Sequence, residues 1–280
     1  FYAEPFPEWV TSFRADQIYK SEIENGWLLN TSLSPLHNHL LDEDSAAYEC
    51  GTFQPWFPHT LGSIDNIKES ENKVGTFMWN TPYGDEFVLK FAEQLIVKNQ
   101  LGADEHTDVL TIGLSAADVI GHQFGPNSLE IADYYARLDK YLEVFVTMLN
   151  EKVGKDNYIL ALTADHGVVP MPEFSGLTEK AVRVESHEFD TDMLAVDQEL
   201  KQLFNLTEST FLETSYAGIE PNFELLAMHQ IDSFVFLEAL KSKLKNLSYV
   251  DQAYIPSDFI NATDNEGYKM QFSNSYDPRF

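Results

Sequence analysis

Apolar positions in the middle of the chain alternate between two periods. Phe87, Phe91 and Leu95, with Lys98, repeat at helical spacing ahead of Gly102 and predict a helix opening near Thr81-Pro-Tyr-Gly-Asp85. Asp108-Val-Leu-Thr-Ile-Gly-Leu114 is a short unbroken apolar run and reads as a buried strand. A loop is expected from Ser115 to Pro126. Asn127 or Ser128 can then cap a second helix, over 128–153, whose face is Leu138, Leu142, Phe145 and Leu149 and which closes at Gly154. Tyr158-Ile-Leu-Ala-Leu-Thr163 reads as a second buried strand. Strand, helix, strand is a βαβ unit, so 108–114 and 158–164 are expected to run parallel in one sheet with a right-handed crossover.

The flanks differ from this core. Residues 1–80 are aromatic-rich, proline-punctuated and irregular, with Phe6, Trp9, Val10 and Phe13 able to line a short helix. Pro55 and Pro58 make 53–59 a loop. Its aromatics can wall a pocket or pack inward, and packing is the weightier reading. After 170 the pattern mixes a helix near 192–204, strand-like 210–216 and 222–227, a helix near 231–244 and a strand near 249–254. We therefore expect an α/β fold with 1–170 in the core domain (an irregular segment 1–80 and a βαβ core 81–170). Residues 171–280 would be an α+β insert or cap.

Charge narrows the function. The 280 residues carry a net charge of −27. Nucleic-acid binding through basic patches is excluded by that field. No apolar run is long enough for a transmembrane helix. The single cysteine, Cys50, rules out an internal disulfide and a cysteine zinc cage, and it reads better as a small buried side chain than as a nucleophile. The chain opens at Phe1 without a signal-like segment, and we expect it to be a fragment of something longer.

Candidate chemistry sits after each predicted strand. Asp118 and His122 are four residues apart, one turn of a helix, and can share an ion. Asp165 and His166 precede Gly167, which lets the backbone bend so that both can face one site. Ligands of α/β proteins bind beyond the carboxyl ends of strands, so the two pairs should converge. Carboxylate oxygen with imidazole nitrogen suits zinc, and manganese or iron less specifically. Each pair alone is weak, and each half-site is short of ligands. The two together, each at a turn and flanked by glycine, point to a metal centre. His37-Asn-His39, Asp42-Glu43-Asp44 and Asp104-Glu105-His106 read as solvated loop or cap groups.

Asp118-Val-Ile-Gly-His122-Gln-Phe-Gly-Pro126-Asn, a long helix containing Arg137-Leu-Asp139, and Leu162-Thr-Ala-Asp165-His166-Gly167 together resemble the alkaline phosphatase superfamily. More narrowly, they resemble the bacterial enzymes with a threonine nucleophile, kin of the type I phosphodiesterase and nucleotide pyrophosphatase group. The resemblance runs from about Leu110 to Pro170, with weaker similarity at Pro7-Glu-Trp9-Val10 and at 274–279. It implies an alkaline-phosphatase-like parallel-sheet sandwich with helices on both faces, and two Zn2+ ions in the intact enzyme, which this fragment need not hold because each half-site lacks ligands. Asp118 and His122 match ligands of one zinc, Asp165 and His166 ligands of the other. It also implies a phosphate-ester substrate and a periplasmic or secreted location. The family's early aspartate, its nucleophilic threonine, its Lys/Arg phosphate clamp and its late histidine have no match here. The threonine is expected upstream of residue 1, and His187 or His229 is a weak substitute for the histidine. Phosphate-monoester hydrolysis by the intact protein is the first reading, with this fragment inactive alone. Diester or nucleotide pyrophosphate hydrolysis is the alternative, and a non-catalytic metal-binding or interaction domain is the reading from another class.

Overall fold

The structure is a computed structural model that describes residues 5–30, 46, 48–49, 51–63, 72–175, 181–215 and 218–260. His37, His39, Asp42, Glu43, Asp44, Cys50 and 274–279 lie outside the described residues. The chain divides into two compact units, Phe1–Ala181 and Val182–Phe280.

The first unit opens with three short helices, α1 (Glu8–Ser12), α2 (Ala15–Ile18) and α3 (Lys20–Asn25). Next come α4 (Lys73–Trp79) and α5 (Pro82–Asn99). Then follow α6 (Ala116–Phe124), α7 (Leu129–Leu149) and α8 (Pro172–Ser175). Asn72 caps α4 by accepting from the Gly75 N–H, and Ser128 caps α7 by accepting from that of Ile131. α5 starts with Pro82 at its first position, where the missing N–H costs nothing. It ends at Gln100 in the left-handed conformation rather than at Gly102. Gly84 is required where α4 meets α5, because a Cβ there would lie 2.3 Å from the Met78 carbonyl oxygen.

The buried side of α5 is Leu89, Ala92 and Ile96, packed with Phe145 and Leu149 of α7. Phe87, of the predicted stripe, packs instead against the core that holds Tyr19, Phe77 and Tyr83. Phe13 lies tilted on Phe87 at 4.8 Å and edge-on to Phe91 at 5.3 Å, and Trp9 lies 5.2 Å from Phe91. The aromatic N-terminal segment thus covers a second face of α5.

A second core surrounds Trp27, Phe53, Phe77, Ile120, Phe124 and Tyr134. The 53–59 loop packs into it. His59 is fully buried, pairs its Nε2 with Glu130 Oε1 at 2.9 Å, and bridges to Trp27 through the backbone. Asp133, buried on α7, accepts from the Trp27 indole N–H at 2.6 Å and the Asn30 amide at 2.8 Å. The Arg137 guanidinium donates to it at 2.6 Å and also to the Leu28 carbonyl at 2.7 Å. One carboxylate therefore fastens the 27–30 segment to the long helix.

The predicted strands need correction. Residues 108–114 and 158–164 are not helical, but among the described residues neither pairs with a strand, and neither is buried. Ile112, Leu114 and Tyr158 pack against α5 and α7. The opposite faces are open, with Val109 85% and Ile159 99% exposed, and even on the Tyr158 side Leu162 is 71% exposed. The reason is physical. A run that is apolar on both faces suits a strand covered on both sides, and here one side is covered. A groove of about 840 Å³, lined by Leu110, Ile112, Tyr158 and Leu160 among others, separates the two segments.

The second unit comprises α9 (Ser186–Phe204), strands β1 (Phe211–Ser215) and β2 (Gly218–Pro221), α10 (Phe223–Met228), α11 (Ser233–Leu244) and α12 (Ser257–Ile260). A reciprocal capping box between Glu185 and Glu188 starts α9 six residues earlier than its apolar pattern suggested. The two strands pair antiparallel. The predicted strand at 222–227 is α10 instead, because the Asn222 side chain accepts from the Leu225 N–H and caps a helix. No strand forms at 249–254. The core here is Met193, Val196, Leu200, Leu225, Leu226, Phe236 and Leu240.

Two stability outcomes follow. Asp133→Ala strands a buried indole N–H and the Arg137 cation, and should cost roughly 3–5 kcal/mol in urea unfolding. Ile159→Lys, on an open face, should change stability by about 0.5 kcal/mol or less and should lower self-association in light scattering, because it interrupts an exposed apolar edge.

Candidate functional site

The segment expected as a loop at 115–126 is in fact helix α6. Its periodicity sorts two faces. Ala116, Ile120, Gln123 and Phe124 are buried, while Asp118 and His122 project to solvent on the other side. The helix polarity favours this placement, with a carboxylate in the first turn and a histidine in the last.

Both ends of α6 are fastened. Ser115, at the cap position, makes no side-chain cap bond. Instead Asp85 of α5 accepts from the Ser115 amide at 3.0 Å and the Ala116 amide at 3.2 Å. The Tyr134 hydroxyl of α7 donates to the same carboxylate at 2.7 Å. Burial pushes the Asp85 carboxyl upward, opposed by its hydrogen bonds to Tyr134, Ala116 and Ser115. Burial likewise raises the Tyr134 phenol, and the neighbouring Asp85 charge adds to it. Near the other end, Gln123 Oε1 accepts from the Thr52 amide at 2.8 Å, and its Nε2 donates to Asn80. The helix stops at Gly125, whose φ of +83° a side chain rarely adopts.

The second pair meets the first on the open face of α6. The Asp118 carboxylate Oδ1 lies 3.4 Å from His122 Nε2 and 3.8 Å from His166 Nε2. His166 Nε2 is 3.7 Å from Asp165 Oδ2. Gly125 permits the close approach of the returning segment, because a Cβ there would lie only 2.7 Å from the Met171 side chain, whereas one on Gly121 would make ordinary contact with Val168 at 3.9 Å. The His166 backbone N–H donates to Asp165 Oδ1 at 3.0 Å.

His166 Nδ1 is 3.0 Å from the Gly167 carbonyl oxygen. A carbonyl only accepts, so Nδ1 carries the proton and Nε2 is turned toward Asp118. This is the arrangement in which ligating histidines are usually held. The Gly167 carbonyl, and then the Asp165 charge, raise the His166 pKa.

All four residues singled out from the sequence are therefore brought together. Their separations of 3.4–3.8 Å are longer than hydrogen bonds. The donors are two carboxylates and two imidazoles, a set whose chemistry fits zinc. Among the described residues no group of three or more histidine, cysteine, aspartate or glutamate side chains is placed so that it could hold a metal ion, so these four side chains would have to draw closer around one. His106 pairs loosely with Asp104 at 3.4 Å and is solvated. His187 and His229 are exposed in the second unit. Sequence reading missed Asp85, Tyr134 and Gln123. Asp85 was visible only as a residue near a helix start, and a cap donated across 30 positions leaves no local pattern.

The profile of the type I phosphodiesterase / nucleotide pyrophosphatase family matches residues 45–247. The chain is 38% identical over 177 residues to alkaline phosphatase PhoV of Synechococcus elongatus, covering 62% of this chain and 30% of that protein. It is 39% identical over 171 residues to alkaline phosphatase PafA of Elizabethkingia meningoseptica, covering 60% and 30%. A Myroides odoratus protein named a calcium-transporting ATPase is 30% identical over 259 residues, covering 90% and 44%. The crystal structure of wild-type alkaline phosphatase PafA superposes with a TM-score of 0.78 at 28% identity, over 99% of this chain and 51% of that one. The chain thus has the α/β fold of an alkaline phosphatase, the class expected from its sequence, and it spans less than half the length of the curated relatives it matches.

The glycine contacts are testable. Gly125→Ala combines a strained φ with a clash against Met171 and should destabilise the chain by about 1–3 kcal/mol. Met171→Ala in that background removes the clash and should recover part of the loss in urea unfolding.

Proposed function

Because the chain belongs to the type I phosphodiesterase / nucleotide pyrophosphatase family, we propose that it is the ligand-bearing portion of a two-zinc phosphoric-ester hydrolase with phosphate monoesters as substrate. The observation that carries this is the convergence of Asp118, His122, Asp165 and His166 from two turns onto one face of α6. Asp118 and His122 would hold one ion, and Asp165 and His166 the other. Bound there, two such ions supply Lewis-acid stabilisation of the phosphoryl oxygens and of the attacking and leaving groups.

The chain's own contribution is placement. α6 sets the spacing of Asp118 and His122, and the Gly167 carbonyl sets the tautomer and direction of His166. The site is open to solvent, which suits a substrate arriving from outside. The chain's net charge of −27 repels a phosphate ester at long range, but salt screens that field beyond about 10 Å.

Monoesters are favoured by the names of two relatives, both alkaline phosphatases. Diester hydrolysis is the alternative, favoured by the family's description. The three relatives' names share chemistry at phosphorus. The nucleophile is assigned to polypeptide beyond these residues, and a periplasmic or secreted setting belongs to the same proposal. No described helix is long and apolar enough to cross a membrane.

The test is hydrolysis of nitrophenyl phosphate and bis-nitrophenyl phosphate with added zinc. The intact protein should prefer the monoester and lose on the order of 10³-fold in kcat/KM on Asp165→Ala, a few kcal/mol of charge stabilisation. The 280-residue chain alone should stay at background. Unchanged turnover in the Asp165→Ala protein would defeat the metal assignment. Robust turnover by the chain alone would show that the nucleophile lies within it.

A further inference from the structure

The fold spends a buried carboxylate where a hydroxyl would serve. Ser115 stands at the cap of α6 with a side chain suited to the task, yet makes no cap bond. Asp85, only 3% exposed, does so from 30 residues away. Burying a carboxylate is costly unless its oxygens are well satisfied. Here they accept from the two amides and the Tyr134 hydroxyl, and they face the positive end of α6. A local serine cap would stabilise α6 equally well but would say nothing about where it points. The Asp85 bridge ties the start of α6 to α5 and α7 together.

That distinction matters for the other face of the helix. α6 has nine residues, too few to be stable or oriented without outside contacts. Asp118 is two residues beyond Ala116, and His122 one turn further. A slip or rotation of the first turn would carry both away from His166, which meets Asp118 at 3.8 Å. We propose that Asp85 is a positioning residue for the Asp118–His122 pair: with Tyr134 it anchors the first turn of α6, so that these side chains are held facing Asp165 and His166 before any ion arrives. This rests on the reading of Asp118 and His122 as ligands given above.

Two measurements on the 280-residue chain separate positioning from plain stability. The first is hydrogen exchange. In Asp85→Ala, amides of 116–124 should exchange at least about tenfold faster relative to amides of 140–149, because the anchor is local. Asp85→Asn keeps an acceptor oxygen and should fall between parent and alanine variant. Tyr134→Phe removes one donor and should move α6 in the same direction by less; these two carry the test if Asp85→Ala does not fold. Leu149→Ala, a core truncation far from α6, should raise exchange without selecting 116–124.

The second is cobalt titration followed by visible absorption. Asp85→Ala should weaken cobalt binding by about 10–100-fold, the usual effect of losing an outer-shell partner. Asp85→Asn should restore most of it, and Leu149→Ala should leave it unchanged. Exchange that rises equally in α5, α6 and α7 would overturn the proposal. So would cobalt affinity that falls equally in Asp85→Ala and Leu149→Ala. If the parent chain binds no cobalt because its half-sites are short of ligands, the same titration is read on the intact protein, where equal affinity in the parent and in Asp85→Ala would overturn the proposal.

Discussion

One buried carboxylate joins three helices of the first unit. Asp85 sits in the first turn of α5, accepts from the two leading amides of α6 and receives the hydroxyl of Tyr134 from α7. The Tyr134 hydroxyl and the Ala116 amide would otherwise be buried polar groups in need of a bond, since Tyr134 is 1% and Ala116 2% exposed. The arrangement is mutually dependent: the carboxylate tolerates burial because of its donors, and the donors are satisfied because of the carboxylate. What α6 shows to solvent then follows from what it buries. With Ile120, Gln123 and Phe124 turned inward, Asp118 and His122 have only the outward face.

The rest of the unit supports that face. Gln123 reaches under the helix to Thr52 and Asn80, and the aromatic 53–59 loop fills the space below Phe124, with the His59 ring 4.9 Å from it. Asp133 performs on α7 what Asp85 performs on α6, drawing Trp27, Asn30 and Arg137 to one point. Beyond the helix end, Gly125 lets the Met171 side chain lie close, and Val168 packs over Gly121. The two pairs, whose aspartates are 47 positions apart in sequence, meet on this side of α6.

Much of this was legible in the chain. The i, i+4 spacing of Asp118 and His122 and the Asp-His-Gly turn identified the residues that converge. The stripe of α7 was also readable: Phe145 and Leu149 are buried with Leu142 packed beside them, and Leu138 packs against the core around Trp27 and Tyr134. Three features were not, each for its own reason. Residues 115–126 were expected as a loop although Ser115 stands where a cap would: its side chain makes no cap bond, and the bonds that fix the helix start come from Asp85. The helical spacing of Phe87 and Phe91 gave the helix but not its second buried face of Leu89, Ala92 and Ile96, because apolar period reports burial without saying by what; the N-terminal aromatics cover the first face and α7 the second. The runs 108–114 and 158–164 were expected to be buried strands. Apolar residues on both faces describe a strand with layers on both sides, and Val109 and Ile159 show that one layer is not supplied by the described residues.

If Asp118, His122, Asp165 and His166 are metal ligands, an anomalous-difference map collected at the zinc absorption edge, from crystals of the intact protein soaked in a zinc salt, should show density on the open face of α6, about 2.0–2.2 Å from imidazole nitrogens and carboxylate oxygens of these residues. Zinc peaks confined to other parts of the molecule, with the four side chains left as they stand at 3.4–3.8 Å from one another, would contradict that assignment.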